Sequence, residues 1–204
     1  AGPTPASDEG AATTFKPLSA PKPPAAPPPR YASSSDLLAR FFEEMPALQA
    51  LEGEHDAVGF LLALLAQTLP SRVALCHVYD AARREFVVAG ARTPSPAAAG
   101  RLMGARTPEH DPSIEPLLTR KGAVVVREAG GDARYRGGRW ALAGEPARSV
   151  AAAAAFADGR PVGLIELANP SDGAPFEEGE GKALEYVAEQ FAEFLSRGGP
   201  GAGR

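Results

Sequence analysis

Cysteine is nearly missing from this chain: Cys76 is the only one among 204 residues. One cysteine excludes a disulfide framework within the chain and any cysteine-based zinc cluster. It suits a reducing compartment, so a cytoplasmic location is expected. Histidine is almost as scarce, and His55, His77 and His110 have no H-x-x-x-H spacing, which argues against a histidine metal site. The longest apolar run, residues 57–66, falls far short of the ~20 residues of a membrane span. No basic segment followed by an apolar one opens the chain, so no secretory signal is expected. Walker, G-x-S-x-G and H-E-x-x-H motifs are missing as well. Basic residues number 21 against 25 acidic, for a net charge of −4 and a pI near 5.5. That balance argues against a nucleic-acid partner, which needs a basic surface. The first residue is Ala1 rather than Met, which points to a processed chain or a piece of a longer one.

Proline and alanine are abundant, and unevenly so. Nine of the first thirty residues are proline. Such a segment has few amide donors and little apolar surface to offset the entropy of ordering, so residues 1–35 read as a disordered linker. A docking motif for a proline-binding partner is the functional alternative. The Gly-rich tail 198–204 reads the same way. Residues 36–197 remain for one folded domain with a single substantial core.

Within that domain, Ser33 to Asp36 offers capping side chains for a helix whose apolar stripe is Leu37, Leu38, Phe41, Phe42 and Met45, with Pro46 expected to end it. A second, largely apolar helix spans about 54–69 and must be buried on most sides. Segments 72–79 and 85–92 read as a strand pair. A loop with a short helix follows to Gly104. Residues 112–120 form a short helix with Asp111 as its cap, residues 123–127 a strand, and 130–144 a Gly- and Arg-rich loop. Segments 149–157 and 161–168 flank Asp158-Gly159, which supplies the positive φ angles of a tight hairpin. Alanine favours helix at 151–155, but the hairpin signal outweighs it. Asn169 to Pro175 is a polar turn. Residues 177–197 form the clearest helix, with Leu184, Val187, Ala188, Phe191, Phe194 and Leu195 on one face. The apolar faces of helix 54–69 and the C-terminal helix exceed what one sheet face can cover, so a homodimer through the terminal helices is expected. Hairpins between helical ends imply an α+β layer.

Three stretches carry a family resemblance. Pro112 to Tyr135 gives a short helix, a glycine, a strand and an Asp-x-Arg-aromatic loop. Arg148-Ser149 then opens a small-residue strand, followed by Asp158 to Leu167. Asn169, Asp172-Gly173 and Phe176 lead into the last helix. In order and spacing the chain resembles the GAF domain family over residues 36–197. The resemblance implies a PAS-related central antiparallel β-sheet with helices on both faces: one layer built from the two chain ends, and on the other side loops and a short helix that roof a possible ligand pocket. It also implies a regulatory role in which a small ligand or partner protein shifts the helical layer. A ligand-free scaffold for dimerisation or docking is the alternative. It names no cofactor.

Candidate site residues are few. Cyclic-nucleotide-binding members share an Asn-Lys-x-x-Phe…Asp-Glu pattern. Here Asn169 matches but Pro170 replaces the lysine, and Glu177-Glu178 stand too near Phe176, which argues against cyclic GMP. Cys76 lies in a strand with His77 pointing to the opposite face, a poor nucleophilic pair. The branch that reduces free methionine sulfoxide uses several cysteines, so no catalytic role is expected. His77 would ligate or hydrogen-bond in the pocket, or be a satisfied core histidine. From Arg120 to Arg148 seven basic residues stand against three acidic ones; from Asp172 to Glu193 seven acidic residues face one lysine. The basic stretch spans the roof, where Arg127, Arg134 and Arg148, with Tyr135, Trp140 and Asp132, would grip a small flat anion by paired hydrogen bonds and stacking. Structural pairing of Asp132 with Arg134 and of Arg127 with Glu128 is the competing reading. The acidic stretch belongs on the exposed side of the last helix.

Overall fold

The computed structural model describes residues 31 and 33–198. The proline-rich linker or docking segment 1–30 and the tail beyond Gly198 lie outside the described residues. Helix α1 (Ser34–Gln49) starts where Ser33 Oγ accepts the Asp36 N–H at 3.1 Å. It buries Leu37, Phe41, Met45 and Leu48, while Phe42 stays 58% exposed against the Tyr186 ring. Pro46 does not end it, contrary to expectation. The lost N–H is outweighed by burial of Leu48 in the following turn and by Gln49 Nε2, which donates to the Gln190 carbonyl at 3.0 Å. Helix α2 (Glu54–Thr68) follows as expected.

The sheet has six strands: β1 (Ser71–Asp80), β2 (Glu85–Arg92), β3 (Arg106–Pro108), β4 (Val124–Val126), β5 (Val150–Ala157) and β6 (Arg160–Pro170). Their order is β3-β2-β1-β6-β5-β4, and every pairing is antiparallel. The alanine-rich segment is therefore a strand. Asp158 and Gly159, at φ 50° and 74°, turn β5 onto β6. Short β3 is a strand the sequence reading lacks.

Side chains alternate across the sheet, and each face has its own core. On one face Ala74, Cys76, Ala151, Ala153, Ile165 and Leu167 pack under α1, α2 and the last helix, α6 (Glu178–Gly198). Small alanines on β5 let α6 lie close across it. Glu177 N–H donates to Glu180 Oε2 at 2.8 Å to open α6; Glu180 is buried, but the other acidic residues there are exposed or half-buried, as expected. On the other face Leu75, Phe86, Val88, Val150 and Leu164 pack under the roof. The roof consists of α3 (Pro96–Leu102), α4 (Glu115–Arg120) and the segment 127–148. Helix α4 starts three residues later than expected because Asp111 Oδ1 bonds the Ser113 N–H and hydroxyl instead of capping a helix. Segment 130–144, expected to be loop, contains a 3₁₀ turn at Ala133–Tyr135, which Asp132 caps, and the four-residue helix α5 (Arg139–Leu142).

Gly163 sits where β6 passes closest to β1 and α6: an added Cβ would lie 2.9 Å from the His77 carbonyl and 3.1 Å from the Phe191 ring. Gly163→Ala is expected to destabilise the domain by about 1–3 kcal/mol through overpacking. Urea unfolding measures this, and a variant as stable as the wild type would contradict the spacing.

Candidate functional site

Alternation along β6 puts Leu164, Glu166 and Ala168 on the roof side of the sheet. The middle one is a carboxylate beneath the roof, 1% exposed. It is held from two directions. Arg139, on α5, donates from Nε and Nη2 to its two oxygens, each at 2.5 Å. His77, on β1, lies 2.9 Å away through Nε2. Arg139 also donates to Ser113 Oγ at 2.9 Å and reaches Thr107 Oγ1 at 3.5 Å. Its guanidinium lies over the Trp140 ring, 5.2 Å from the centroid. Arg139, His77, Ser113 and Thr107 are all buried.

The charges in this cluster are set by burial against pairing. Burial works to raise the Glu166 pKa, but the Arg139 charge and the hydrogen bonds from His77 and Arg139 outweigh it and hold the carboxyl below its ordinary range. Burial lowers the His77 pKa, and Glu166 only partly opposes that. His77 is thus neutral at pH 7, and facing a carboxylate it carries its proton on Nε2. Its Nδ1 has no partner among the described residues. Cys76, as alternation requires, lies in the opposite core, where burial pushes its thiol up to about 12.

The seven residues anticipated from sequence do not converge. His77 is a core residue under the roof, bonded to Glu166 through Nε2 alone. Asp132 and Arg134 pair with each other, Nη2 to Oδ2 at 2.6 Å, at the surface. Arg127 is exposed and pairs with Glu177 at 3.6 Å rather than with Glu128. Arg148 is exposed, and its backbone N–H donates to Asn169 Oδ1 at 2.7 Å. The Arg134 guanidinium lies over the Tyr135 ring, 5.6 Å from its centroid, and Tyr135 and Trp140 make a T-shaped contact with centroids 5.8 Å apart. They line a solvent-open cleft of about 510 Å³ formed within the roof segment, with Arg136, Gly144 and Glu145 on its walls. The buried Trp140 Nε1 has no acceptor among the described residues.

Sequence reasoning misses the two central residues. Arg139 entered it only as one of the seven basic residues of the roof, and Glu166 only as part of a strand. A signal for Glu166 exists: a carboxylate at an inward position of an apolar strand needs a buried partner.

The roof segment is pinned at its ends. Asn169, at φ 57° on β6, takes the Arg148 N–H and donates to Glu145 and to the Pro146 carbonyl at 3.0 and 2.9 Å. It is a bracket for the roof rather than a ligand contact. Ser149 Oγ donates to the Val126 carbonyl at 3.1 Å and accepts the Phe176 N–H at 2.9 Å, joining both stems of the segment to the start of α6.

A family model described as GAF domain matches residues 55–195. No curated protein matches the chain. Among solved structures, the GAF domain of a phosphoenolpyruvate-protein phosphotransferase from Coxiella burnetii superposes with a TM-score of 0.65 at 15% identity, covering 80% of this chain and 93% of that one. Free methionine-R-sulfoxide reductase from Neisseria meningitidis superposes at 0.62 with 19% identity, covering 82% and 95%. The chromophore-binding domain of a bacteriophytochrome from R. palustris does so at 0.61 with 13% identity, covering 82% and 62%. At these identities the likeness is one of fold.

Because the His77 pKa is lowered in the folded protein, the unfolded chain takes up a proton that the folded one refuses once pH drops below the ordinary 6.5. Stability is therefore expected to fall between pH 7 and 5. Glu166, also lowered, adds a further loss only below its ordinary 4.5. Thermal melts of wild type and His77→Gln check this: the variant is expected to lose the slope above pH 5 and keep the one below 4.5.

Proposed function

The chain belongs to the GAF domain family of sensory and regulatory modules, and from that premise we propose that it is a regulatory module without catalytic activity of its own. A small, flat, anionic ligand occupies the cleft of the roof segment and shifts that segment, and the shift passes through Ser149 and Phe176 to α6 and the helical layer. The cleft carries this reading. Its volume of about 510 Å³ falls in the range of small-molecule sites. Trp140 brings a buried N–H donor without an acceptor, an arrangement that favours any occupant supplying one. Arg136 is exposed, and its Nη2 donates to the Gly131 carbonyl at 3.1 Å, which leaves further donors for an anion.

The non-catalytic reading is supported by Cys76. Free methionine-R-sulfoxide reductase shares the fold, but the lone thiol here is fully buried, with its pKa pushed up to about 12. Thiol chemistry needs an accessible thiolate.

One observation favours a second reading, a ligand-free dimerisation scaffold. The interior between sheet and roof is filled by Trp140, Val150, Leu164 and their neighbours, with Leu142 and Phe156 packed against them. Phe42, meanwhile, is exposed on the helical layer beside Tyr186.

Trp140 is the only tryptophan, so its fluorescence reports on the cleft directly. Titration with nucleotides and aromatic carboxylates is expected to give a saturable change and a rise in Tm. Arg136→Gln is expected to weaken it about tenfold, the loss of one charge-assisted hydrogen bond. If no compound in the panel alters fluorescence or Tm while sedimentation shows a dimer that Phe42→Glu dissociates, the scaffold reading replaces this one.

A further inference from the structure

The acceptors around Arg139 form a cup for one planar cation. Glu166 offers both carboxylate oxygens to two parallel N–H groups, Nε and Nη2, at 2.5 Å, the fork arrangement that matches guanidinium and amidinium groups. Ser113 Oγ, at 2.9 Å from Nη2, and Thr107 Oγ1, at 3.5 Å from Nη1, come from a different stretch of chain. His77 closes the floor through Nε2, 2.9 Å from the carboxylate. Two segments distant in sequence thus converge on one guanidinium, a third holds the carboxylate from below, and that carboxylate is costly to bury without a cation in place.

Arg139 is the only basic residue of the stretch 120–148 that is buried; the other six are exposed. It stands at the first position of the four-residue helix α5, directly after Gly138 at φ 56° and shortly before Gly144 at φ 87°. Around Gly137 and Gly138 an added Cβ would meet nothing within 4 Å. These two glycines face open space, while α5 is held by Arg139 in the cup and by Trp140 and Ala143 in the roof core.

We propose that the Glu166–His77–Ser113–Thr107 cup is a binding site for a guanidinium- or amidinium-bearing small molecule, and that Arg139 is a built-in competitor that occupies it until such a molecule displaces it. Displacement keeps Glu166 paired and releases α5, so the roof segment is freed from the sheet at its centre while Asn169 and Ser149 still hold its ends. This site lies beneath the roof and is separate from the open cleft. It stands whether or not the cleft takes a ligand.

Two measurements test this. In Arg139→Ala the cup loses its occupant. Methylguanidinium at low millimolar concentration is expected to raise the Tm of that variant by about 3 °C or more, or to restore folding if the variant alone is unfolded. Urea, which is planar but uncharged, and butylammonium, which is charged but not forked, are expected to fail. Equal rescue by either, or none by methylguanidinium, overturns the proposal. In the wild type a tethered group competes at an effective concentration on the order of millimolar. Benzamidinium at about 10 mM is accordingly expected to increase amide hydrogen exchange across residues 137–144 with β5 and β6 still protected. Unchanged protection there overturns the proposal even if the variant responds. A response in both, with no change in wild-type fluorescence or Tm on titration with nucleotides and aromatic carboxylates, leaves this site standing and removes the cleft reading alone.

Discussion

Glu166 is the constraint around which the roof face is organised. A carboxylate fully inside an otherwise apolar layer is tolerable only while cationic and neutral donors surround it. Meeting that condition fixes where α5 must sit, which way Arg139 must reach, and which tautomer His77 must adopt. The 3₁₀ turn at 133–135, the contact of Tyr135 with Trp140 and the cleft between them follow from α5 being drawn down to the sheet. Ion pairs of this kind add little net stability compared with apolar packing. What the cluster adds is position: with the buried Tyr135, Trp140 and Ala143 it fixes a Gly-rich segment in one place on the sheet.

The opposite face works by other means. There the alanines of β5, Ile165 and Leu167 pack against Leu184, Val187 and Phe191 of α6. The two faces are joined by hydrogen bonds at the edge near β4. Ser149 joins the end of β4 to Phe176, and Glu185 of α6 accepts the Ala123 N–H at 3.4 Å. A change in the roof has a short covalent and hydrogen-bonded route to α6, and α6 packs on α1 and α2.

The architecture was largely legible in the sequence because its signals are local. Asp158-Gly159 announces the hairpin, the apolar segments 72–79 and 161–168 read as strands beside their turns, and the 3.6-residue stripe from Leu184 to Leu195 gives the last helix. The errors share one cause, a local rule overruled by contacts from elsewhere. Pro46 breaks helices in isolation, yet Leu48 and Gln49 are held by α6. Asp111 caps helices, yet here Ser113 claims its side chain. The site was far less legible. Glu166 and Arg139 are 27 residues apart, one in an apolar strand and the other in a segment that reads as loop, and no spacing rule links them. Charge density drew attention to Arg127, Arg134 and Arg148, which the structure leaves in solvent. Abundance of charge marks a surface; the isolated charge in an apolar run marks a site.

Cys76 carries a separate consequence. Its sulfur sits at the centre of the sheet, between β2 and β6, with no exposure. A thiol reagent can reach it only when the helical layer lifts from the sheet or the domain unfolds, so the rate of labelling counts those large openings and ignores play in the roof. The native chain thereby offers one silent probe of global breathing, and any cysteine introduced at the surface can be derivatised against a background that does not react.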